Sequence, residues 1–162
     1  MKDLINLSNK LGKLLLQKGL FITTAESCTG GWVSQEITAI PGSSRWFGAS
    51  FVTYSNESKQ EVLGVNNKTL KAFGAVSNEV VEEMTSGALQ KSKADLSIGI
   101  SGIAGPTGAT KDRPIGMVCI SWQLKGKKVI SSTELFKGDR TSVRYQTVEK
   151  ALEGAINLLK SL

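Results

Sequence analysis

A strand, a glycine-containing turn and a helix follow one another between residues 20 and 40, and this unit limits the class of fold. Residues 20–24 begin with a short apolar run, the stretch from 24 to 31 reads Thr-Ala-Glu-Ser-Cys-Thr-Gly-Gly, and the segment 32–40 carries apolar residues at helical spacing. The pattern predicts a buried strand that ends beside the start of a helix. Such units build sheets that are covered by helices.

The remaining segments repeat this alternation. Predicted helices lie at 3–18, at 32–40, after Ser55-Asn56 and through Lys59, from Asn67 to Gly74, from a cap at Ser77, and from about Asp139; predicted strands lie at 20–24, 46–54, 94–100, 115–124 and 129–136. The last two strands are separated by a turn around Gly126, which predicts a hairpin. Together these segments predict an α/β fold, a three-layer α/β/α sandwich with a mixed, partly parallel sheet, in one domain over 1–162.

The chain has no histidine, and this limits its chemistry. Every mechanism in which histidine is the acid or base is excluded, so a proton carrier must be Lys, Tyr, Asp, Glu or water. With only two cysteines the sequence also has poor means of holding zinc. We therefore expect no metal and no cofactor.

The formal net charge of +6 is uneven, because residues 111–162 hold most of the excess of Lys and Arg. This charge favours either a small phosphorylated substrate or nucleic acid. Aromatic residues make up only 6% of the chain and form no stacking platform, so we expect no nucleic-acid partner. No apolar stretch is long enough to cross a membrane, and the leucine-rich segment at the start is interrupted by charges. We expect a cytoplasmic protein with no membrane partner.

Ser27 is the candidate nucleophile of the turn. A hydroxyl next to a helix N-terminus could meet unpaired N–H groups, and Gly30 and Gly31 would let a ligand approach the backbone. A structural alternative is that Thr29 caps the helix while the two glycines only turn the chain. Cys28 is a weaker candidate nucleophile, since a thiolate needs an activating partner.

Tyr54 and Lys59 follow the end of the second predicted strand. Ligands of α/β proteins usually lie at such strand ends, which makes both residues candidates for the site. The structural alternatives are a solvated helix lysine and a core tyrosine. Glu26, in the turn itself, would either help to position Lys59 or pair with a surface cation.

Two further features suggest an anion site. Gly102, Gly105 and Gly108 are spaced by three in a loop that matches neither of the common phosphate-binding motifs, and it is either an anion cradle or a flexible loop. Arg140 and Arg144 lie in the first turns of the last helix, where cations are unfavourable. Their placement indicates a partner such as phosphate, or else two exposed arginines.

Four motifs in this order resemble the C-terminal domain family of CinA, the competence/damage-inducible protein A. They are the turn at 24–31, Val-Thr-Tyr-Ser-Asn at 52–56 with Lys59, Gly-Ala-Val-Ser at 74–77, and Ser-Gly-Ile-Ala-Gly-Pro at 101–106. The resemblance runs over nearly the whole chain. It implies hydrolysis of nicotinamide mononucleotide to nicotinic acid mononucleotide and ammonia by a metal-independent amidohydrolase, and commonly a homo-oligomer.

In that resemblance Ser27 is the nucleophile and Lys59 the base, with Tyr54 nearby. We further predict that the substrate contacts Thr29, Gly30 and Gly31, whose N–H groups would hold the oxyanion, and that Gly102, Gly105 and Arg140 bind its other groups. The family pattern is changed at Gly-Ala-Ser 48–50 and at Thr-Gly-Ala 107–109. A non-catalytic nucleotide-binding or regulatory module of the same fold is the alternative function.

Overall fold

The structure is a computed structural model and describes residues 3–162. The helices are α1 (Leu4–Lys18), α2 (Trp32–Thr38), α3 (Asn56–Leu63), α4 (Asn67–Phe73), α5 (Asn78–Lys91) and α6 (Arg140–Lys160), with a short 3₁₀ turn at Ser43–Arg45. The strands are β1 (Ile22–Glu26), β2 (Phe47–Val52), β3 (Leu96–Gly102), β4 (Met117–Leu124) and β5 (Ile130–Leu135). Every predicted helix and strand is present.

The strands form one mixed sheet in the order β2-β1-β3-β4-β5. The first three are parallel, whereas β3–β4 and β4–β5 are antiparallel, so the predicted hairpin is confirmed. Because β1 lies between β2 and β3, the chain leaves β1 for one neighbour and later returns on the other side. The carboxyl end of β1 is therefore the point where ligands of open α/β sheets usually bind.

Helices cover both faces of the sheet, as the three-layer prediction requires. On one face α1, α2 and α6 contact one another, and on the other face α5 packs on β1, β3 and β4 with α3 and α4 against it. Each face has its own apolar cluster. The larger one includes Leu11, Ile98 and Leu152, and the smaller one includes Ala25, Val81 and Met84.

Polar side chains cap most of the helices. Asp3, Ser55, Asn66, Ser77 and Asp139 each accept a hydrogen bond from the first turn that follows. The predicted cap at Ser77 is thus confirmed. By contrast, α2 begins at Gly31 without a cap from its own N-cap side chain, so the predicted cap at Thr29 is wrong.

Two of the strands at the site, β1 and β3, end later than predicted, whereas β2 ends at Val52, two residues earlier than predicted. β1 continues to Glu26 because Glu26 pairs with Val52 on one side and Ile100 on the other, and β3 continues to Gly102 opposite Val118. This brings the ends of β1, β2 and β3 to one edge of the sheet. Within residues 3–162 no helix is long and apolar enough to span a membrane, and no group of acidic, Cys or His side chains could hold a metal ion.

Candidate active site

Ser27 and Lys59 meet at the carboxyl edge of the parallel strands. Lys59 Nζ lies 3.1 Å from Ser27 Oγ, although the residues are 32 positions apart in the chain. Lys59 is 1% exposed and Ser27 8% exposed. The alternative of a solvated helix lysine is therefore wrong, and the two predicted residues form a buried pair.

Two backbone carbonyls fix the amine of Lys59. Its Nζ donates to Thr53 O at 2.8 Å and to Tyr54 O at 3.2 Å, just after β2 ends. Ser55 caps α3 and so sets the start of the helix that carries Lys59. A neutral amine has two N–H bonds and one lone pair, so when both bonds point to these carbonyls, the lone pair is left for the hydroxyl of Ser27.

Burial lowers the pKa of Lys59 from its usual value, and the nearby Cys28 thiol opposes this with a smaller effect. The lowered pKa increases the neutral fraction of the amine at a given pH. Only the neutral amine can take a proton from a hydroxyl. The environment of Lys59 thus favours the form that a general base requires.

Tyr54 contacts Lys59 through its backbone carbonyl, whereas its phenol contacts Arg140. The side chain is 60% exposed, and its hydroxyl accepts a hydrogen bond of 3.2 Å from Arg140 Nη2. The alternative of a core tyrosine is therefore wrong. Arg140 also donates to Gly105 O at 2.8 Å, which links the loop after β3 to the segment after β2.

Glu26 has a role that neither sequence-based alternative described. It is fully buried and accepts three hydrogen bonds on each carboxylate oxygen, and within residues 3–162 no ion pair joins it to Lys59 or to a surface cation. The donors are Thr24 Oγ1, Thr29 Oγ1, Ser34 Oγ and the N–H groups of Gly31, Val33 and Ser34. The carboxylate therefore occupies the N-terminus of α2, where we had expected an anion-binding position.

These contacts correct the predicted oxyanion donors. The N–H of Gly31 donates to Glu26, and the N–H of Gly30 donates to Ser27 O at 3.0 Å. Neither group is open to a ligand in this structure. Thr29 uses its hydroxyl for Glu26, whereas its N–H has no acceptor within residues 3–162.

Arg144 has partners within the protein that the sequence analysis did not predict. Its Nε donates to Cys28 O at 3.0 Å and its Nη2 to Thr29 O at 2.9 Å, while the guanidinium lies 5.3 Å from the centre of the Trp32 ring. Its partners are therefore these backbone carbonyls and the indole ring. Its position in the first turns of α6, unfavourable for a cation, was the only signal of a partner.

The glycines of the loop after β3 have packing reasons for being glycine. A Cβ on Gly102 would lie 2.7 Å from a Val118 methyl, and one on Gly105 would lie 2.6 Å from an Ile115 methyl. Gly105 also has φ +81°, a conformation that other residues rarely adopt. Whether Gly102 and Gly105 contact a substrate stays a prediction.

Cys28 does not compete with Ser27 as a nucleophile. Burial raises the pKa of its thiol to about 12, despite the opposing effects of its own backbone N–H and of Arg144. The thiolate is therefore almost absent at neutral pH.

The backbone carbonyl of Thr53, which accepts a hydrogen bond from Lys59, was not predicted from the sequence. No sequence signal could reveal it, because every residue carries a carbonyl.

A cleft of about 490 Å³ opens beside the turn. It is lined by side chains and backbone from three elements: Thr29, Gly30, Gly31, Trp32, Gln35, Glu36, Thr141 and Arg144. Its volume is within the range of small-ligand sites. The predicted substrate contacts Thr29, Gly30 and Gly31 all line this cleft; Gly30 is exposed, Gly31 is half-buried and Thr29 is buried.

The fold and the site define a class: a three-layer α/β/α protein with a buried Ser–Lys pair where the ends of parallel strands meet. Residues 4–159 match the CinA C-terminal domain family, and the chain belongs to that family. The predicted resemblance is confirmed.

Individual relatives agree with this assignment. The chain is 48% identical to the nicotinamide-nucleotide amidohydrolase PncC of Escherichia coli (strain K12), over 93% of this chain and 92% of that protein. It is 45% identical to the PncC of Pseudomonas putida, over 98% of both chains. A crystal structure of a CinA superfamily protein from Klebsiella pneumoniae 700603 superposes with a TM-score of 0.96, at 34% identity over 99% of this chain and 100% of that one.

Proposed function

We propose that this protein is a nicotinamide-nucleotide amidohydrolase, which hydrolyses nicotinamide mononucleotide to nicotinic acid mononucleotide and ammonia. The observation that carries the proposal is the buried contact of 3.1 Å between Lys59 Nζ and Ser27 Oγ. The names of the PncC relatives supply the substrate, because they describe amide hydrolysis on a nicotinamide nucleotide.

In the first half-reaction, Ser27 Oγ attacks the carboxamide carbon while Lys59 takes the hydroxyl proton. The new C–O bond gives a tetrahedral oxyanion. When this species collapses, the C–N bond breaks and Lys59 returns the proton to the leaving nitrogen, so that ammonia departs. The product of this half is an ester between Ser27 and the nicotinoyl group.

In the second half-reaction, a water molecule attacks the ester carbon and gives its proton to Lys59. The C–O bond to Ser27 then breaks, and Lys59 returns the proton to the serine oxygen. Nicotinic acid mononucleotide leaves with its new carboxylate. Every proton transfer uses one amine, so the reaction needs neither histidine nor a metal ion.

The guanidinium of Arg140 is the group that we assign to the substrate phosphate. It is exposed and lies at the same strand edge as the catalytic pair, bridging Tyr54 and Gly105. Arginine binds phosphate well through paired hydrogen bonds. The phosphate would then stay away from Lys59, whose pKa a nearby anion would raise.

The deciding experiment measures ammonia release from nicotinamide mononucleotide by the wild type, Ser27→Ala and Lys59→Met. We expect both substitutions to lower kcat by about 10⁴-fold, as removal of a nucleophile or its base does in other hydrolases. Lys68→Met is the matched control, because Lys68 is an exposed lysine on α4, and it should keep wild-type turnover.

Circular dichroism verifies that each variant is folded. Wild-type turnover by folded Ser27→Ala or Lys59→Met would contradict the mechanism. Binding of the mononucleotide by the wild type without release of ammonia would instead support the non-catalytic nucleotide-binding module.

A further inference from the structure

The turn that carries Ser27 is held from two opposite sides, and this leaves very few free backbone donors. Glu26 binds the hydroxyl of Thr29 and the N–H of Gly31, while Arg144 binds the carbonyls of Cys28 and Thr29. Within the described residues, the N–H groups of Cys28 and Thr29 are the two in this turn that donate to no other residue. Donors left open beside a nucleophile can bind a developing oxyanion.

The carbonyl that Arg144 holds belongs to the same peptide unit as the N–H of Thr29. This peptide bond is trans, so its C=O and its N–H point in opposite directions. A hydrogen bond of 3.0 Å from Arg144 to Cys28 O therefore fixes the direction of the Thr29 N–H as well. It also polarises the peptide unit, which strengthens the N–H as a donor.

The second contact of Arg144 acts on the next peptide unit. Its hydrogen bond to Thr29 O fixes the N–H of Gly30, which turns back to Ser27 O and closes the turn. The residue that follows the nucleophile supplies an oxyanion donor in other serine hydrolases, and here that residue is Cys28. Both open N–H groups thus belong to a turn whose shape depends on Arg144.

We propose that Arg144 is a positioning residue that orients the N–H groups of Cys28 and Thr29 as the oxyanion-binding pair of this site. The guanidinium of Arg144 already donates to two backbone carbonyls and lies 5.3 Å from the centre of the Trp32 ring. The inference rests on the proposed function, since it concerns the tetrahedral species formed at Ser27.

The test compares Arg144→Gln and Arg144→Lys with the wild type. Loss of oriented donors affects the transition state more than the bound substrate, so kcat should fall by about 10- to 100-fold in Arg144→Gln while KM changes by less than about threefold. Arg144→Lys, which keeps the charge but can bind the two carbonyls less well, should lose less. Arg144→Lys also keeps the test valid if Arg144→Gln does not fold.

A matched control is present in the chain. Arg45 also lies against a tryptophan ring, that of Trp46 at 5.8 Å, and it donates to a backbone carbonyl, Gly42 O. It precedes β2, at the opposite edge of the sheet from Ser27. Arg45→Gln should keep kcat within about twofold of the wild type. An equal loss of kcat in Arg45→Gln and Arg144→Gln would show that the loss in Arg144→Gln comes from general destabilisation.

A second measurement does not depend on the identity of the substrate. A fluorophosphonate probe reacts with an activated serine: the Ser27 O–P bond forms, the P–F bond breaks, fluoride leaves and Lys59 takes the proton. The phosphoryl oxygen gains negative charge during this step and needs the same donors. Labelling of Ser27, followed by intact-protein mass, should slow in Arg144→Gln by about the same factor as kcat.

The outcomes separate the two proposals. Labelling of wild-type Ser27 that slows in Arg144→Gln, without any ammonia release from the mononucleotide, would support the role of Arg144 and contradict the proposed substrate. Labelling and kcat of a folded Arg144→Gln within twofold of the wild type would overturn the inference. It would also be overturned if KM rose while kcat stayed constant, since Arg144 would then bind substrate directly.

Discussion

The turn after β1 and the loop after β3 leave neighbouring strands at the same edge of the sheet, and both contain glycines, yet they are built differently. The turn at 27–31 is largely buried and is bonded to Glu26, Ile100 and Arg144. In the loop, residues 106–112 are exposed. Ile103 at its base bonds Gly116 and Met117, and the other hydrogen bonds include a local pair between Thr110 and Arg113 and the contacts of Arg113 and Arg140 with backbone carbonyls. The comparison indicates that the nucleophile is preorganised, whereas the loop is free to follow a ligand.

The substitution Glu26→Gln is the strongest test of whether the buried turn preorganises the nucleophile. An amide would place an NH₂ group against donors that now face a carboxylate oxygen, so the turn must shift, and small misplacements of a nucleophile are costly. We expect kcat to fall by about 10²-fold, and the free energy of unfolding to fall by about 1–3 kcal/mol. Turnover of the mononucleotide and urea denaturation measure the two effects.

Glu83→Gln separates the two effects. Glu83 also accepts hydrogen bonds from a backbone N–H, that of Asn66, and from a threonine hydroxyl, that of Thr69, but it holds the start of α4. We expect a similar loss of stability with unchanged kcat. If both variants lost the same activity, the special role of the buried turn would be excluded.

Arg140→Gln tests the loop side of the comparison. Charge-assisted hydrogen bonds contribute about 1.5–3 kcal/mol, so KM for nicotinamide mononucleotide should rise by about 10- to 100-fold with kcat little changed. Nicotinamide riboside, which lacks the phosphate, should show a much smaller change. Equal effects on the two substrates would remove Arg140 from the phosphate site.

The pH dependence tests the burial of Lys59. Because burial lowers its pKa, the folded state binds fewer protons than the unfolded state at pH values between the lowered value and the usual one. Stability from this group therefore rises as the pH rises through that window, by at most about 1.4 kcal/mol per pH unit. The unfolding free energy of the wild type minus that of Lys59→Met should increase between about pH 7 and pH 10.

Activity should follow the same titration. The wild-type kcat/KM should rise with pH and level off below the usual pKa of lysine, because the neutral amine is the active form. If kcat/KM instead rose only around the usual pKa of lysine, the amine would not be desolvated in the free enzyme. A stability difference that is flat from pH 7 to pH 10 would lead to the same conclusion.

The smallest effect is expected from alanine at the loop glycine Gly108. Its φ of +97° makes alanine unfavourable by about 1–2 kcal/mol, but the nearest neighbour of a Cβ would be an Ile103 methyl at 3.6 Å. An exposed loop can adjust, so kcat should stay within about twofold. Gly30→Ala, with φ +62° in the turn, should lower kcat more, and the reverse order would contradict the comparison.

Much of the fold could be predicted because its signals are local. Apolar periodicity together with turn residues such as Ser55-Asn56 located every helix and strand, and the hydroxyl at Ser77 marked a helix start. The strand ends were less accurate: β1 and β3 each continue two residues further, since pairing with neighbouring strands is not visible in one segment. The Ser27–Lys59 pair was found through resemblance to a family and a position past a strand end.

The contacts of charged side chains were the weakest part. Glu26 was expected to position Lys59 or to pair with a surface cation, and Arg144 to bind a partner such as phosphate or to be exposed. Instead, both bind the turn between them. Residues more than a hundred positions apart, such as Cys28 and Arg144, are brought together only when α6 packs beside α2. No sequence spacing contains that information.

By itself the sequence determined the order of helices and strands, the absence of histidine chemistry and the residue types available for an acyl transfer. These follow from side-chain chemistry and from periodicities of two and 3.6 residues, which act over short stretches of chain. Only the tertiary structure decided that Lys59 is buried against Ser27 and that the N–H groups at the start of α2 are already occupied. Burial and hydrogen-bond partners depend on long-range packing, and they determine both the protonation of an amine and the donors that remain for a ligand.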